Sequence, residues 1–133
     1  MTVKERYCSH EVSKLLQEKG FDIWCDTYYT SSGTFKYDLY HSKDSTIDCY
    51  APTQQMACDW IFERYGISIE PMWCCYVKGQ PWDCSISSPS IGTKWIGNAL
   101  CKEYKSQEEA INDSILYVLN NYKPKEQEQD EMS

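Results

Sequence analysis

Cysteine and histidine are the residues of this sequence that could bind a metal ion, and the chain holds eight cysteines and two histidines. Cys8 and His10 are separated by one residue, while Cys74 and Cys75 are adjacent. A structural zinc site usually draws on two close ligand pairs of the C-x-x-C type, and the sequence contains no such pair. Neighbouring strand residues also point to opposite faces, so Cys74 and Cys75 do not easily share an ion. We therefore expect no metal site and no other cofactor.

A cysteine nucleophile with a histidine base is a second chemistry that these residues could support. His10 falls in the first turn of a predicted helix, where a histidine more often caps or packs, and His41 falls in a polar loop. The sequence contains no nucleophile elbow, phosphate-binding loop or dinucleotide fingerprint. Whether the protein is an enzyme is left open, and we favour a protein without catalytic residues.

The even number of cysteines would also suit the disulfide framework of a secreted protein. However, the start of the sequence, MTVKERYCSH, lacks the apolar segment of a signal peptide, and no apolar run approaches the roughly 20 residues of a membrane span. We expect a cytoplasmic protein, in which most thiols stay reduced and pack as small apolar side chains. The redox state of Cys75 and Cys84, which the register below places opposite each other, is left open.

The net charge of −7 argues against a nucleic-acid partner, because phosphate binding depends on lysine and arginine. The aromatic residues indicate a different partner, since the chain has eleven tyrosines and five tryptophans, residue types enriched at protein contact surfaces. The first predicted hairpin carries Tyr28, Tyr29, Tyr37 and Tyr40, which we predict to form a protein-binding surface. Ordinary packing within a sheet is the alternative explanation for these side chains.

Three helices are predicted from N-cap residues that are followed by apolar side chains at three- and four-residue spacing. The first lies between Tyr7 and Phe21, the second between Thr53 and Gly66, and the third follows the capping box that begins at Ser106. Gly66 suits a helix end because glycine readily adopts the left-handed conformation found there. These helices supply the apolar surface that a sheet needs to fold against.

Two hairpins are predicted from alternating apolar residues interrupted by turn residues. The first runs from Trp24 to Tyr40 with its turn at 31–33, and a short strand follows at Ile47 to Tyr50. The second consists of a long strand from Ile67 to Val77 and a return from Trp82 to Ser87, and we expect a loop over residues 88–97. A four-residue loop at 78–81 gives the predicted register of the second hairpin. The opposed pairs are Val77 with Trp82, Cys75 with Cys84, and Trp73 with Ile86.

These elements predict a single two-layer α+β domain over residues 1–122, since the chain has the size of one domain. In it, two β-hairpins form an antiparallel or mixed sheet that is packed with three helices, and the order of the strands is left open. Residues 123–133 are polar and charged, KPKEQEQDEMS, and we expect this acidic tail to be disordered.

Several short motifs give the chain a resemblance to a known group of proteins, and APTQQMAxxW (Ala51 to Ala57, with Trp60) is the most specific of them. The weaker ones lie in the first helix, before the first hairpin and in the last helix: Tyr7, Ser9, Glu11, Lys14, Leu15, Leu16, Glu18, Lys19, Gly20, Phe21; Cys25, Asp26, Tyr28; Glu108, Glu109, Ala110. The chain resembles, over residues 7–122, a family of small uncharacterised proteins of phages, prophages and mobile elements of gut bacteria. The resemblance implies a mobile-element origin and a bacterial cytoplasm, and it carries over no activity and no functional residues.

We therefore expect a non-enzymatic phage or mobile-element accessory protein that binds a host or phage protein. The alternative is a small-ligand or nucleotide-binding protein that sequesters a molecule in an aromatic-lined pocket. A third alternative is an enzyme that depends on cysteine and histidine. We expect no nucleic-acid partner and no membrane partner, and the oligomeric state, including a weak homodimer, is left open.

Overall fold

A computed structural model of the chain describes residues 7–38, 46–73 and 82–125. These residues form four helices and six strands. In chain order they are α1 (His10–Glu18), β1 (Thr27–Thr30), β2 (Phe35–Tyr37), β3 (Ile47–Tyr50), α2 (Gln54–Tyr65), β4 (Ser68–Trp73), β5 (Trp82–Ser88), β6 (Gly92–Trp95), α3 (Ile96–Leu100) and α4 (Gln107–Asn121). The α+β class predicted from the sequence is confirmed.

The described strands form two separate three-stranded sheets, with the orders β2-β1-β3 and β4-β5-β6. All the strand pairs are antiparallel, and each predicted hairpin gains a third strand instead of joining the other hairpin. The contacts divide the chain into two compact units, residues 1–57 and 58–133, with one sheet in each. The single domain over residues 1–122 stays a prediction. Most of the predicted tail, residues 126–133, lies outside the described residues.

Helix α1 begins and ends where local signals place it. The Ser9 hydroxyl accepts a hydrogen bond from the Val12 amide at 3.2 Å, as an N-cap does. At the other end, Gly20 has a φ of 104°, and the Phe21 amide donates to the Leu16 carbonyl at 2.9 Å. This six-to-one bond across a left-handed glycine is the Schellman ending, and it turns the chain toward the first sheet.

The first hairpin turns where the sequence predicts it. β1 and β2 pair with Tyr29 opposite Phe35, and Gly33 has a φ of 86° in the turn between them. The Gly33 amide donates to the Thr30 carbonyl at 2.9 Å, and the Thr30 amide donates to the Thr34 carbonyl at 3.0 Å. The turn predicted at residues 31–33 is therefore confirmed, while the predicted end of this hairpin at Tyr40 lies outside the described residues.

Strand β3 pairs with the other edge of β1, and its ladder is interrupted. Tyr29 lies opposite Cys49, but the next residue, Thr30, lies opposite Ile47. Asp48 is thus one extra residue on β3, which makes a β-bulge. A bulge breaks the alternation of side chains, so that Asp48 and Cys49 need not point to opposite faces.

The predicted register of the second hairpin is wrong by four residues. Trp73, and not Val77, pairs with Trp82, and the ladder runs without interruption to Ser68 opposite Ser87. Pro71 is the residue opposite Cys84, so the predicted Cys75–Cys84 pairing is corrected. Because alternation has a period of two residues, a shift of four leaves the same side chains on the same face, and the pattern alone does not detect it.

Residues 88–97, predicted as a loop, contain regular structure. β6 pairs antiparallel with β5, with Trp95 opposite Ser85, and α3 follows directly. α3 accounts for the fourth helix that the sequence did not predict, and it has no side-chain hydrogen bond at its N-cap, Trp95. The usual sequence signal for a helix start is therefore absent here.

The two longer helices after the first sheet follow their predicted caps. The Thr53 hydroxyl accepts from the Met56 amide at 3.1 Å, and Gly66, with a φ of 70°, follows the end of α2. The Ser106 hydroxyl accepts from the Glu109 amide at 3.2 Å at the start of α4. α4 packs on β4 and β5. None of the helices in the described ranges is both long enough and apolar enough to cross a membrane.

Candidate functional site

The four tyrosines predicted to bind a partner lie in different environments. Tyr28 and Tyr29 are buried, with exposed fractions of 1% and 4%, whereas Tyr37 is 64% exposed. Tyr40 lies outside the described residues. Tyr37 is therefore the one of the described three that a partner can reach without unfolding the sheet.

Tyr28 and Tyr29 lie in β1, the central strand of its sheet. All four residues of β1 are buried, and Tyr29 packs in an apolar cluster with Phe35, Cys49 and Ala51. The sequence argument treated the hairpin as two strands with an open aromatic face. It predicted β3 as a strand but did not assign β3 to the free edge of β1, where Cys49 packs with Tyr29.

The Tyr29 ring supports a second group of polar side chains. The His10 ring stacks on it, with 4.9 Å between ring centroids and 24° between planes. The Tyr29 hydroxyl donates to the Cys8 carbonyl at 2.7 Å, which fixes the ring that His10 lies against. Burial, together with the nearby Cys8 and Cys49 thiols, raises the pKa of Tyr29 to about 12. The tyrosine is thus a neutral support for the histidine.

The bulge in β3 brings Asp48 and Cys49 to this histidine. His10 Nε2 donates to Asp48 Oδ2 at 2.7 Å, and Lys14 Nζ lies 3.6 Å from the same oxygen. A His10 ring nitrogen, an Asp48 carboxylate oxygen and the Cys49 sulfur all lie within 4.8 Å of one another. We call these three residues the His-Asp-Cys cluster.

The charges in this cluster do not favour a cysteine nucleophile. The hydrogen bond from His10 lowers the pKa of Asp48, with a smaller contribution from Lys14, so this carboxylate is ionised at neutral pH. Burial and, to a smaller extent, the Asp48 charge raise the pKa of Cys49 to about 11. A nucleophilic cysteine needs a lowered pKa, so the cluster does not support the cysteine- and histidine-dependent enzyme.

The sequence argument paired His10 with Cys8 and missed Asp48 and Cys49. The rule that adjacent strand residues face opposite sides would have rejected an Asp48–Cys49 pair, as it rejected Cys74 with Cys75. A bulge is the exception to that rule, and it becomes visible only when β3 is aligned on β1. His41, the other candidate base, lies outside the described residues.

A small cleft in the second unit offers a place for a ligand. It has a volume of about 270 Å³, and Tyr104 and Lys102 in its lining both bond to Asp113 Oδ2, at 2.9 and 3.0 Å. Two more carboxylates, those of Glu103 and Glu109, also line it. Carboxylates repel phosphate groups, and the lining is polar where the nucleotide-binding alternative predicts several aromatic side chains. The cleft therefore does not favour that alternative.

No protein-family model, no curated protein and no solved structure matches this chain.

Proposed function

We propose that this chain is a non-enzymatic accessory protein of a phage or mobile element that binds a host or phage protein in the bacterial cytoplasm. The mobile-element origin and the cytoplasmic location rest on the sequence resemblance. The observation that carries the binding proposal is the exposure of Tyr37, at 64% of its surface, on an edge strand of the first sheet.

Tyr37 does not stand alone at its end of the sheet. Trp24 and Ile23 are 52% and 44% exposed in the segment that leads into β1. Tyr37 lies opposite Thr27, and Trp24 precedes Thr27 by three residues, so the Trp24 and Thr27 Cα atoms are at most about 11 Å apart. We call Ile23, Trp24 and Tyr37 the Tyr37 patch.

Exposed aromatic and aliphatic side chains suit a protein contact, because the fully buried centre of an interface is richer in aromatic residues than the rest of a surface. Three aspartates lie next to the patch along the chain or across the hairpin. Asp38 follows Tyr37, and its amide donates to the Asp26 carbonyl at 2.8 Å. The exposed Asp22 precedes Ile23. The expected partner therefore presents an apolar patch with lysine or arginine at its rim.

Capture of a partner tests the proposal, with Tyr37→Ala as the variant and Phe62→Ala as its matched control. Phe62 is a similarly exposed aromatic side chain, at 58%, on α2. Both exposed truncations should change the free energy of unfolding by no more than about 0.5 kcal/mol. Tyr28→Ala is unsuitable, because removing a fully buried aromatic side chain costs about 3–5 kcal/mol and would abolish binding by unfolding.

The measurement is affinity capture from a bacterial lysate, followed by identification of the captured protein and titration of the purified pair. We expect Tyr37→Ala to weaken binding by about tenfold or more, as for an interface tyrosine, and Phe62→Ala to bind like the unchanged chain. Equal binding by the two variants would remove the Tyr37 patch from the proposal. The absence of any specifically captured protein would contradict the proposed function itself.

A further inference from the structure

We propose that His10, Asp48 and Cys49 form a binding site for a divalent transition-metal ion of the zinc class. Imidazole nitrogen, carboxylate oxygen and thiolate sulfur are the three ligand types that zinc takes in proteins. In this chain one atom of each type lies within 4.8 Å of the other two. The proposal is independent of the proposed protein binding, because the cluster and the Tyr37 patch have no residue in common.

Two structural features bring the ligands together. His10 is the first residue of α1, directly after the N-cap Ser9, so its ring is held at a fixed helix end. Asp48 is the extra residue of the β3 bulge and Cys49 is the next residue, which lies opposite Tyr29. The bulge lets two consecutive side chains reach the same ion, which a regular strand does not allow.

The distances need a small adjustment to hold an ion. Bonds of about 2.0–2.3 Å in a tetrahedron put neighbouring ligand atoms about 3.3–3.7 Å apart. His10 Nε2 and Asp48 Oδ2, now 2.7 Å apart, must separate by about 0.6 Å or more, and the Cys49 sulfur, which lies within 4.8 Å of both groups, must approach by up to about 1 Å. The ion takes the place of the proton between His10 Nε2 and Asp48, the neutral imidazole then carries its one proton on Nδ1, and the Cys49 thiol releases its proton to solvent.

The cluster is open on one side and supported on the other. The side chains of His10 and Asp48 are 32% and 23% exposed, while Cys49 is buried at 1%. An ion can therefore enter from solvent, bind the thiolate at the inner side and keep a water as its fourth ligand. Tyr29 stacks on the His10 ring and is itself fixed by its hydrogen bond to the Cys8 carbonyl, so it limits the orientations of the histidine.

Lys14 is the group that competes with the ion. Its Nζ lies 3.6 Å from Asp48 Oδ2, where a positive charge repels a cation. The Lys14 side chain is 58% exposed and can swing into solvent when the ion binds. Removing its charge should therefore strengthen metal binding, an effect opposite to that of removing a ligand.

The test is titration of the reduced, metal-free full chain with Co²⁺ alone, followed by its thiolate-to-cobalt charge-transfer absorption and by displacement with Zn²⁺. We expect saturation at one equivalent. Cys49→Ser should abolish the charge-transfer absorption, and Asp48→Asn and His10→Gln should each weaken binding by at least about tenfold. Lys14→Gln should bind more tightly. Circular dichroism of each variant checks that the fold is retained.

Cys8→Ser is the matched control, since Cys8 is also a buried thiol near Tyr29 and belongs to the sequence motif Cys8-x-His10. It should bind Co²⁺ like the unchanged chain. Charge-transfer absorption that survives in Cys49→Ser, or that is lost equally in Cys8→Ser, would overturn the proposal, as would failure of the unchanged chain to bind one equivalent. If Cys49→Ser does not fold, the other two variants test the proposal. Weaker Co²⁺ binding by Asp48→Asn and tighter binding by Lys14→Gln are both expected only if the ion binds at this cluster.

Discussion

The dipeptide Asp-Cys occurs in one strand of each sheet, and the two copies place their side chains differently. In β3, Asp48 is the extra residue of a bulge, and its carboxylate lies within 4.8 Å of the Cys49 sulfur and of a His10 nitrogen. The interrupted ladder thus lets two sequence neighbours meet the same third residue. It produces a cluster of three groups that can act together.

In β5 the same dipeptide lies in an uninterrupted ladder, which assigns the two side chains to different tasks. Asp83 Oδ1 accepts hydrogen bonds from the Cys84 amide at 2.7 Å and from the Gly97 amide at 2.9 Å, which ties the start of α3 to the strand. Cys84 is fully buried, and the Ser114 side chain on α4 partly offsets the rise that burial causes in the pKa of its thiol. In this regular strand the Asp83 carboxylate therefore holds the start of α3, while the Cys84 thiol packs in the interior.

The comparison shows that residue types alone do not decide whether two neighbours form a site. Both copies offer a carboxylate and a thiol, but only the bulge changes which way the carboxylate points. The β-bulge in β3 gives up ladder hydrogen bonds, and it is the feature that brings the three side chains of the His-Asp-Cys cluster together in the first unit. The regular second sheet uses the same atoms for stability.

Deleting Asp48 from β3 and Ser85 from β5 is the strongest test of the difference between the bulged and the regular strand. Removing Asp48 would make the β1–β3 ladder continuous with Cys49 still opposite Tyr29, so we expect a loss of only about 1–2 kcal/mol, from the broken His10 bond. Removing Ser85 from the centre of β5 would turn either Cys84 or Ile86, both fully buried, away from its face. We expect a loss of more than about 4 kcal/mol in the free energy of unfolding.

Urea denaturation of the two deletion variants measures both losses on one scale. The Asp48 deletion should also abolish Co²⁺ binding while its circular dichroism spectrum stays close to that of the unchanged chain. Equal losses of unfolding free energy for the two deletions would show that Asp48 is as important for the stability of β3 as Ser85 is for that of β5. The distinction between a bulged and a regular strand would then fail.

A pH series sharpens the role of Cys84 in the regular strand. Burial raises the pKa of this thiol from 9.0 to about 11, so the unfolded chain releases the proton at a lower pH than the folded chain. Stability from the protonated thiol is therefore present below about pH 9 and is lost as the pH rises toward 11, at most about 2–3 kcal/mol. The measurement is the free energy of unfolding at pH 8, 9, 10 and 11.

Cys84→Ala removes this titration, although it leaves a small cavity that lowers stability at every pH. The fall in unfolding free energy between pH 8 and pH 11 should be smaller in the variant by about 2 kcal/mol. Groups that do not interact with Cys84 cancel in the difference, whereas Cys58 and Tyr104, whose pKa values the Cys84 charge raises, contribute to it in the same direction. The same slope in both would mean that the Cys84 thiol is not protected in the folded chain.

Local signals in the sequence were sufficient to predict most helices and the first turn. The caps at Ser9, Thr53 and Ser106 and the left-handed Gly33 involve residues only a few positions apart, so the sequence shows both partners at once. The α+β class followed from these elements. α3 was missed because Trp95 gives no capping signal.

Pairings between distant segments could not be predicted in the same way. The β4–β5 register could slide by four residues without moving an apolar side chain to the wrong face, so the pattern fitted both alignments. The His-Asp-Cys cluster depends on a bulge at Asp48, and a bulge is a property of how β3 meets β1. The packing of Tyr29 with Cys49 likewise depends on that third strand.

Buried hydroxyl groups give the finest test of the difference between the units. The Thr27 hydroxyl in β1 donates to the Ala51 carbonyl at 2.7 Å, a bond between segments, while the Ser114 hydroxyl in α4 donates to the Ala110 carbonyl of its own helix at 2.7 Å. Thr27→Val keeps the shape and should lower the free energy of unfolding by about 1 kcal/mol. Ser114→Ala should cost less, because alanine favours the helix and a serine bond to the preceding turn slightly weakens it. Urea denaturation measures both, and a larger loss for Ser114→Ala would mean that its contact with Cys84, and not the helix bond, sets its contribution.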